Sequence, residues 1–261
     1  MKKLRLYLRL LRLLAVIVLG TLLASLVALM ERLARHDLMV LRQRLTRWFM
    51  ARLTAALPFR LDVQGDLPQA PMLWVSNHVS WTDIPLLGML TPLSFLSKAE
   101  VRAWPVACWL ADKAGTLFIR RGSGDGDLLN QQLGHRLQQG RHVLIFPEGT
   151  TTDGKSVRTF HGRLLSSAID NGVAVQPVAI RYVRAGGFDE IAPFIGDDDM
   201  LSHLLRLLDS EVADVEIRLL PPIACHAMNR NELARRAQAA VASALGAWDD
   251  PEAIAPDSAV A

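Results

Sequence analysis

Apolar residues are distributed along this chain in two regimes. From Leu13 to Met30 there are 18 consecutive residues without a charge. As a helix this run would extend about 27 Å at 1.5 Å per residue, close to the roughly 30 Å of bilayer hydrocarbon. The length predicts a membrane helix. A cleaved signal peptide would leave an Ala-x-Ala type pattern after the run, and a core helix would carry a polar stripe; neither is present. Next, Leu38, Leu41, Leu45, Trp48, Phe49 and Leu53 recur at spacings of three and four among Arg42, Arg44, Arg47 and Arg52, which predicts an amphipathic helix over Leu38 to Leu57. Its arginines suit an anionic lipid surface, or water if the leucines cover a core.

After residue 60 the pattern becomes short apolar runs alternating with helical periodicity. Strands are expected at Leu61–Gln64, Met72–Ser76, Ser94–Ser97, Thr116–Ile119, His142–Phe146, Ala174–Tyr182 and Asp214–Leu220. Helices are expected at Ser80–Leu90, Trp104–Lys113, Asp127–Gln139, Gly162–Asn171, Asp199–Leu207 and Asn229–Leu245. Apolar strands covered by helices imply a layered α/β domain with a central, mostly parallel or mixed sheet flanked by helices. Pro177 removes a ladder donor from its strand, so that strand is expected at an edge or bulged beside a ligand. The chain divides into a membrane-associating helical region over 1–59, the α/β domain over 60–246 and a loose tail over 247–261.

Composition narrows the functional classes. At 261 residues and 51% hydrophobic content, the chain can bury one sizeable core and still have apolar residues to spare. Its 29 basic and 26 acidic residues leave a net charge of only +3, and the basic residues lack the aromatic interleaving of single-strand binders, so nucleic acid is not a partner. Cys108 and Cys225 stand far apart and the histidines are scattered, so neither a metal site nor a cofactor is expected. Lys2, Lys3, Arg5, Arg9 and Arg12 precede the apolar run, which favours a cytoplasmic N-terminal end. A full crossing with no return would put the α/β domain on the other side; a shallow or re-entrant insertion removes that conflict.

The candidate chemistry starts at Asn77-His78, with Asp83 five residues after the histidine. A histidine leaving a strand can receive a carboxylate that reaches back from the next helix. One ring nitrogen then takes a proton from a hydroxyl while Asp83 fixes the tautomer and stabilises the imidazolium. Three further blocks end apolar runs in order: Phe118-Ile119-Arg120-Arg121, Phe146-Pro147-Glu148-Gly149-Thr150-Thr151, and Val175-Gln176-Pro177-Val178-Ala179-Ile180-Arg181-Tyr182.

With these four ordered blocks the chain resembles the glycerolipid acyltransferase family, specifically the bacterial 1-acylglycerol-3-phosphate acyltransferases, over about residues 60 to 225. The resemblance implies a fatty acyl group moved from acyl-CoA or acyl carrier protein to the free hydroxyl of 1-acylglycerol-3-phosphate, giving phosphatidate. It implies a lysophospholipid acceptor and an inner-membrane enzyme whose active site faces the cytoplasm. It makes His78 and Asp83 catalytic, with Asn77, Arg120, Arg121, Glu148, Gly149, Thr150 and Pro177 binding substrate. Many members carry Asp where this chain has Arg120, and a sister group acylates lyso-ornithine lipid; motif content does not separate the two acceptors. A catalytically silent lipid-binding protein is the reading from another class, although binding alone does not need a His-Asp base.

Overall fold

The computed structural model describes residues 2–98, 105–119 and 126–249. Two helices, α1 (Lys2–Ala34) and α2 (Met39–Ala56), come first, followed by β1 (Phe59–Gln64), β2 (Leu73–Ser76), α3 (Asp83–Gly88) and β3 (Leu93–Lys98). Next are α4 (Pro105–Lys113), β4 (Leu117–Ile119), α5 (Gly126–Gln138), β5 (His142–Ile145) and α6 (Ser166–Asp170). The chain closes with β6 (Val175–Arg184), β7 (Gly187–Phe188), α7 (Met200–Asp209), β8 (Ala213–Leu219) and α8 (Arg230–Asp249).

The strands pair in the order β1-β8-β6-β2-β5-β3-β4, with β7 joined to β6 off that path. Along the path only β6 and β8 run antiparallel, so the sheet is mixed. Leu73, Trp74 and Val75 of β2 and Val143, Leu144 and Ile145 of β5 are wholly buried, which is why these strands read as unbroken apolar runs. Leu73 and Val75 join Leu133, Leu165, Leu233 and Val241 in a core with α5 and α8. Trp74 and Leu144 face the other way, onto Leu86 and Leu87 of α3. Because β2 to β5 are mutually parallel, their C-terminal ends share one edge, where ligands of open α/β sheets gather.

Pro177 meets one of its two expected settings and not the other. β6 lies inside the sheet, and its register with β2 is continuous, Pro177 opposite Val75, so the strand is not an edge; toward β8 the pairing slips by one residue, from Val178 opposite Leu219 to Val175 opposite Ile223, the irregularity of a bulge. Leu220 N–H donates to the Pro177 carbonyl at 3.0 Å. The Leu220 carbonyl, facing the nitrogen that has no hydrogen, accepts from the Gln176 side chain instead. A neighbouring amide thus supplies the donor that proline lacks, and an interior proline becomes tolerable.

Other boundaries moved for local reasons. The helix expected from Ser80 starts at Asp83, because Val79 and Ser80 turn their N–H groups onto the Asp83 carboxylate. The helix expected over Gly162–Asn171 is a 3₁₀ turn, Gly162–Leu165, running into α6. The β6–β7 hairpin was not anticipated; Ala185 and Gly186 take φ of 52° and 82°, the left-handed pair of a tight two-residue turn.

α1 is long and apolar enough to cross a membrane by length and composition, yet it packs against the domain. Arg35, at φ 53°, ends it, and Glu31 accepts from the Leu38 N–H at 3.2 Å and from the Arg42 guanidinium, closing a hairpin with α2. Leu13 and Val27 are buried, whereas Leu4, Leu8, Leu11, Leu22 and Leu33 form an exposed stripe. At the start of α1, Arg9 donates to the carbonyls of Leu208 and Ser210, both at 2.7 Å, and Arg5 to that of Asp209 at 2.8 Å. Cations on the unsatisfied carbonyls of a helix C-terminus are favourable, so α1 is docked on the end of α7.

Candidate active site

Strand β2 delivers Asn77 and His78 to the ligand-facing edge. Asn77 is buried; its amide donates to the Ile180 carbonyl at 2.9 Å and accepts from the Ile180 N–H at 3.0 Å. Both ends of that amide are occupied, so Asn77 fixes where the chain leaves β2. His78 Nδ1 lies 2.8 Å from Asp83 Oδ2, and the ring stacks on Phe146 with centroids 3.8 Å apart and planes 10° from parallel. The same Oδ2 accepts from Val79 N–H at 2.8 Å and Ser80 N–H at 3.0 Å, while Oδ1 accepts from the Tyr182 hydroxyl. An acceptor-only carboxylate so surrounded requires the proton on Nδ1, leaving Nε2 as the basic nitrogen. The His78 side chain keeps 18% of its surface exposed, while that of Asp83 keeps none. A substrate can therefore reach the base but not its partner.

Tyr182 had no role assigned from sequence. Its hydroxyl also meets Thr82 Oγ1 at 2.8 Å. Burial, then the Asp83 charge, pushes the phenol pKa well above its usual value, so Tyr182 stays a donor. The available signal was a tyrosine at the end of a buried strand, whose hydroxyl must find a partner.

The second arm follows β5. Phe146 to Gly149 form a turn, with Gly149 N–H donating to the Phe146 carbonyl at 3.1 Å and Gly149 at φ 69°, where a β-carbon would be strained. Glu148 Oε1 accepts from the His78 N–H at 3.2 Å. Thr152 N–H donates to the His78 carbonyl at 2.8 Å. This segment therefore holds the histidine backbone by both of its polar groups. Glu148 is buried, and Oε2 has no hydrogen-bond partner among the described residues. Burial foremost, helped by the Asp83 charge, raises its pKa to about 7, against the pull of the His78 and Arg158 N–H groups and the Arg158 charge. Thr150 follows, half-exposed, while Pro177 sits within the sheet beside Val75. β4 ends at Ile119 on the same sheet edge; Arg120 and Arg121, the expected anion-binding pair, lie outside the described residues.

An apolar cavity of about 730 Å³ lies between the α1–α2 hairpin and the domain. Ala24 and Val27 of α1 and Trp48 and Leu53 of α2 line it, together with Trp81 and Pro85 from the segment that carries Asp83. That volume falls within the roughly 300–1,000 Å³ of pockets that enclose small ligands. An oriented histidine base, a buried carboxyl with a free oxygen and an adjoining apolar chamber suit transfer of an apolar group to a hydroxyl.

Comparison with known proteins agrees. A family model described as Acyltransferase matches residues 60–181. The lyso-ornithine lipid O-acyltransferase of Pseudomonas aeruginosa is 65% identical over 245 residues, which cover 94% of this chain and 95% of that protein. The 1-acyl-sn-glycerol-3-phosphate acyltransferase of Neisseria gonorrhoeae is 35% identical over 166 residues, 62% of this chain and 65% of the other. The crystal structure of the 1-acyl-sn-glycerophosphate (LPA) acyltransferase, PlsC, from Thermotoga maritima shares the fold at a TM-score of 0.70 and 20% identity, covering 96% of this chain and 98% of that one. The chain belongs to the acyltransferase family.

Proposed function

We propose that this protein is a lyso-ornithine lipid O-acyltransferase, moving a fatty acyl group from the thioester of acyl-CoA or acyl carrier protein to the lysolipid's free hydroxyl. The observation that carries the acceptor is the 65% identity to a lyso-ornithine lipid enzyme along nearly the whole of both chains. The motif resemblance put lysophosphatidate first; the relative of that specificity aligns at 35% over only 62% of this chain. In the reaction, His78 Nε2 takes the proton of the acceptor hydroxyl as its oxygen attacks the thioester carbonyl, and Asp83 stabilises the imidazolium. The tetrahedral intermediate then expels the thiolate, which receives that proton from His78. No acyl-enzyme forms. Glu148 Oε1 holds the His78 N–H, and its enclosed Oε2 has no partner among the described residues. A direct comparison of kcat/KM is expected to favour lyso-ornithine lipid over lysophosphatidate by at least about tenfold, a difference of about 1.4 kcal/mol. The opposite ranking would return the assignment to lysophosphatidate.

The cavity takes the fatty chain of a lipid substrate. Ala24→Trp would fill part of it from the α1 wall. Two methylenes denied burial cost about 1.6 kcal/mol, on the order of tenfold in rate. The variant is therefore expected to slow long-chain transfer about tenfold while sparing short chains; equal slowing at every length would remove the chain from this cavity.

The protein works at the inner membrane, inserted from the cytoplasmic face as a hairpin that does not cross. Support comes from the basic N-terminal segment and from Arg5 and Arg9, whose bonds to the end of α7 keep residues 5–9 beside the domain. The exposed leucine stripe of α1 is then the lipid-facing surface. Impermeant labelling of exposed cysteines introduced at Lys3 and at Ser156 is expected to succeed from the same side; labelling from opposite sides would mean a full crossing.

A further inference from the structure

His203 lies outside all four sequence blocks, on α7, and is wholly buried. Its Nδ1 accepts from the Trp81 indole N–H at 3.0 Å and its Nε2 donates to the Ala192 carbonyl at 3.2 Å. The ring also meets Trp81 and Phe194 edge-on, at centroid distances of 6.3 and 5.2 Å. An indole N–H can only donate and a carbonyl can only accept, so these partners require the neutral Nε2–H tautomer. Burial lowers the imidazole pKa; Arg206 acts the same way, while Asp198 and the backbone bonds to Ala192 and Ile191 oppose it.

What the imidazole grips is the catalytic turn. Trp81 stands between His78 and Asp83 in the chain and walls the apolar cavity. Phe194, two residues beyond Ala192, donates its N–H to the Val79 carbonyl at 2.9 Å and accepts from Thr151 Oγ1. His203 therefore ties both supports of that turn, the indole and the 192–194 segment, to α7. The same helix receives Arg5 and Arg9 at its other end. A phenylalanine would fill the space without needing two polar partners; the histidine adds direction, aiming one indole edge and holding one carbonyl.

We propose that His203 is a positioning residue for acyl transfer, holding Trp81 as the wall between the His78–Asp83 pair and the chain-binding cavity. The proposal rests on the acyltransferase reading above. It predicts that His203→Phe in the full-length enzyme, in lipid–detergent micelles, folds by circular dichroism but loses kcat on the order of 10- to 100-fold, as a small misplacement of reacting groups can, with less change in KM. His203→Gln, whose amide can accept from the indole and donate to Ala192, recovers most of that loss. Trp81→Phe is slowed comparably, and the double variant Trp81→Phe/His203→Phe is no slower than either single one, because both remove one interaction. Wild-type kcat in His203→Phe, a Gln variant no better than Phe, or losses that add in the double variant would each overturn the proposal. Should His203→Phe not fold, Trp81→Phe at wild-type rate, or His203→Gln as slow as Trp81→Phe, overturns it. Wild-type transfer measured alongside separates the two levels: its absence defeats the functional reading, while its presence with unaffected variants defeats only the role of His203.

Discussion

His78→Ala is expected to reduce acyl transfer on the order of 10²–10⁴-fold, the usual contribution of a positioned general base. Only the side chain is removed. The backbone bonds that place residue 78, from its N–H to Glu148 and to its carbonyl from Thr152, do not need the imidazole. Among the described residues the ring stacks on Phe146 and bonds Asp83. The variant is therefore expected to fold, with a circular dichroism spectrum like the parent's and membrane binding through the hairpin unchanged. Product mass after a fixed time gives the loss; near-parental turnover in a folded variant would remove His78 from the chemistry.

Asp83→Asn is expected to cost a similar order of magnitude, roughly 10²–10⁴-fold, as when an amide replaces the carboxylate of other His-carboxylate pairs. The carboxylate serves Nδ1, two backbone N–H groups and the Tyr182 hydroxyl as an acceptor throughout. An asparagine offers one acceptor oxygen for those donors, and its NH₂ group faces others head-on. If that group turns toward His78, the ring must carry its proton on Nε2, the nitrogen that has to be basic. Because Asp83 is wholly buried, some loss of thermal stability is expected too, so activity is to be compared below the melting transition of the variant. Full activity there would reduce Asp83 to a backbone clamp for the turn.

The strands and the His-Asp pair were legible because each leaves a local mark. Buried parallel strands leave unbroken apolar runs, and a base with its partner five residues on leaves a short spacing. What stayed hidden depends on distant contacts. Nothing local at Asp83 announces the Tyr182 hydroxyl that arrives from β6, nor does His203 on its helix announce Trp81. Pro177 does not mark an edge because its missing donor is replaced by the side chain of Gln176, a compensation that exists only once β8 is alongside. Ser80 reads as helical, but a carboxylate that captures the N–H groups before it delays the helix to Asp83. The apolar run of α1 was plain, while its docking through Arg5 and Arg9 was not, since arginines before such a run read equally as a topology signal.

In the proposed reaction transfer is direct: the lysolipid hydroxyl, deprotonated by His78, attacks the donor thioester with no acylated protein between. A single-turnover experiment with enzyme in excess over a labelled acyl donor tests it, following the label in donor, protein and lipid by mass. Direct transfer predicts that the label passes to lyso-ornithine lipid with none on the protein, that the donor persists when the acceptor is omitted, and that His78→Ala leaves it in the donor. Label accumulating on the protein, or donor consumed without acceptor, would contradict it.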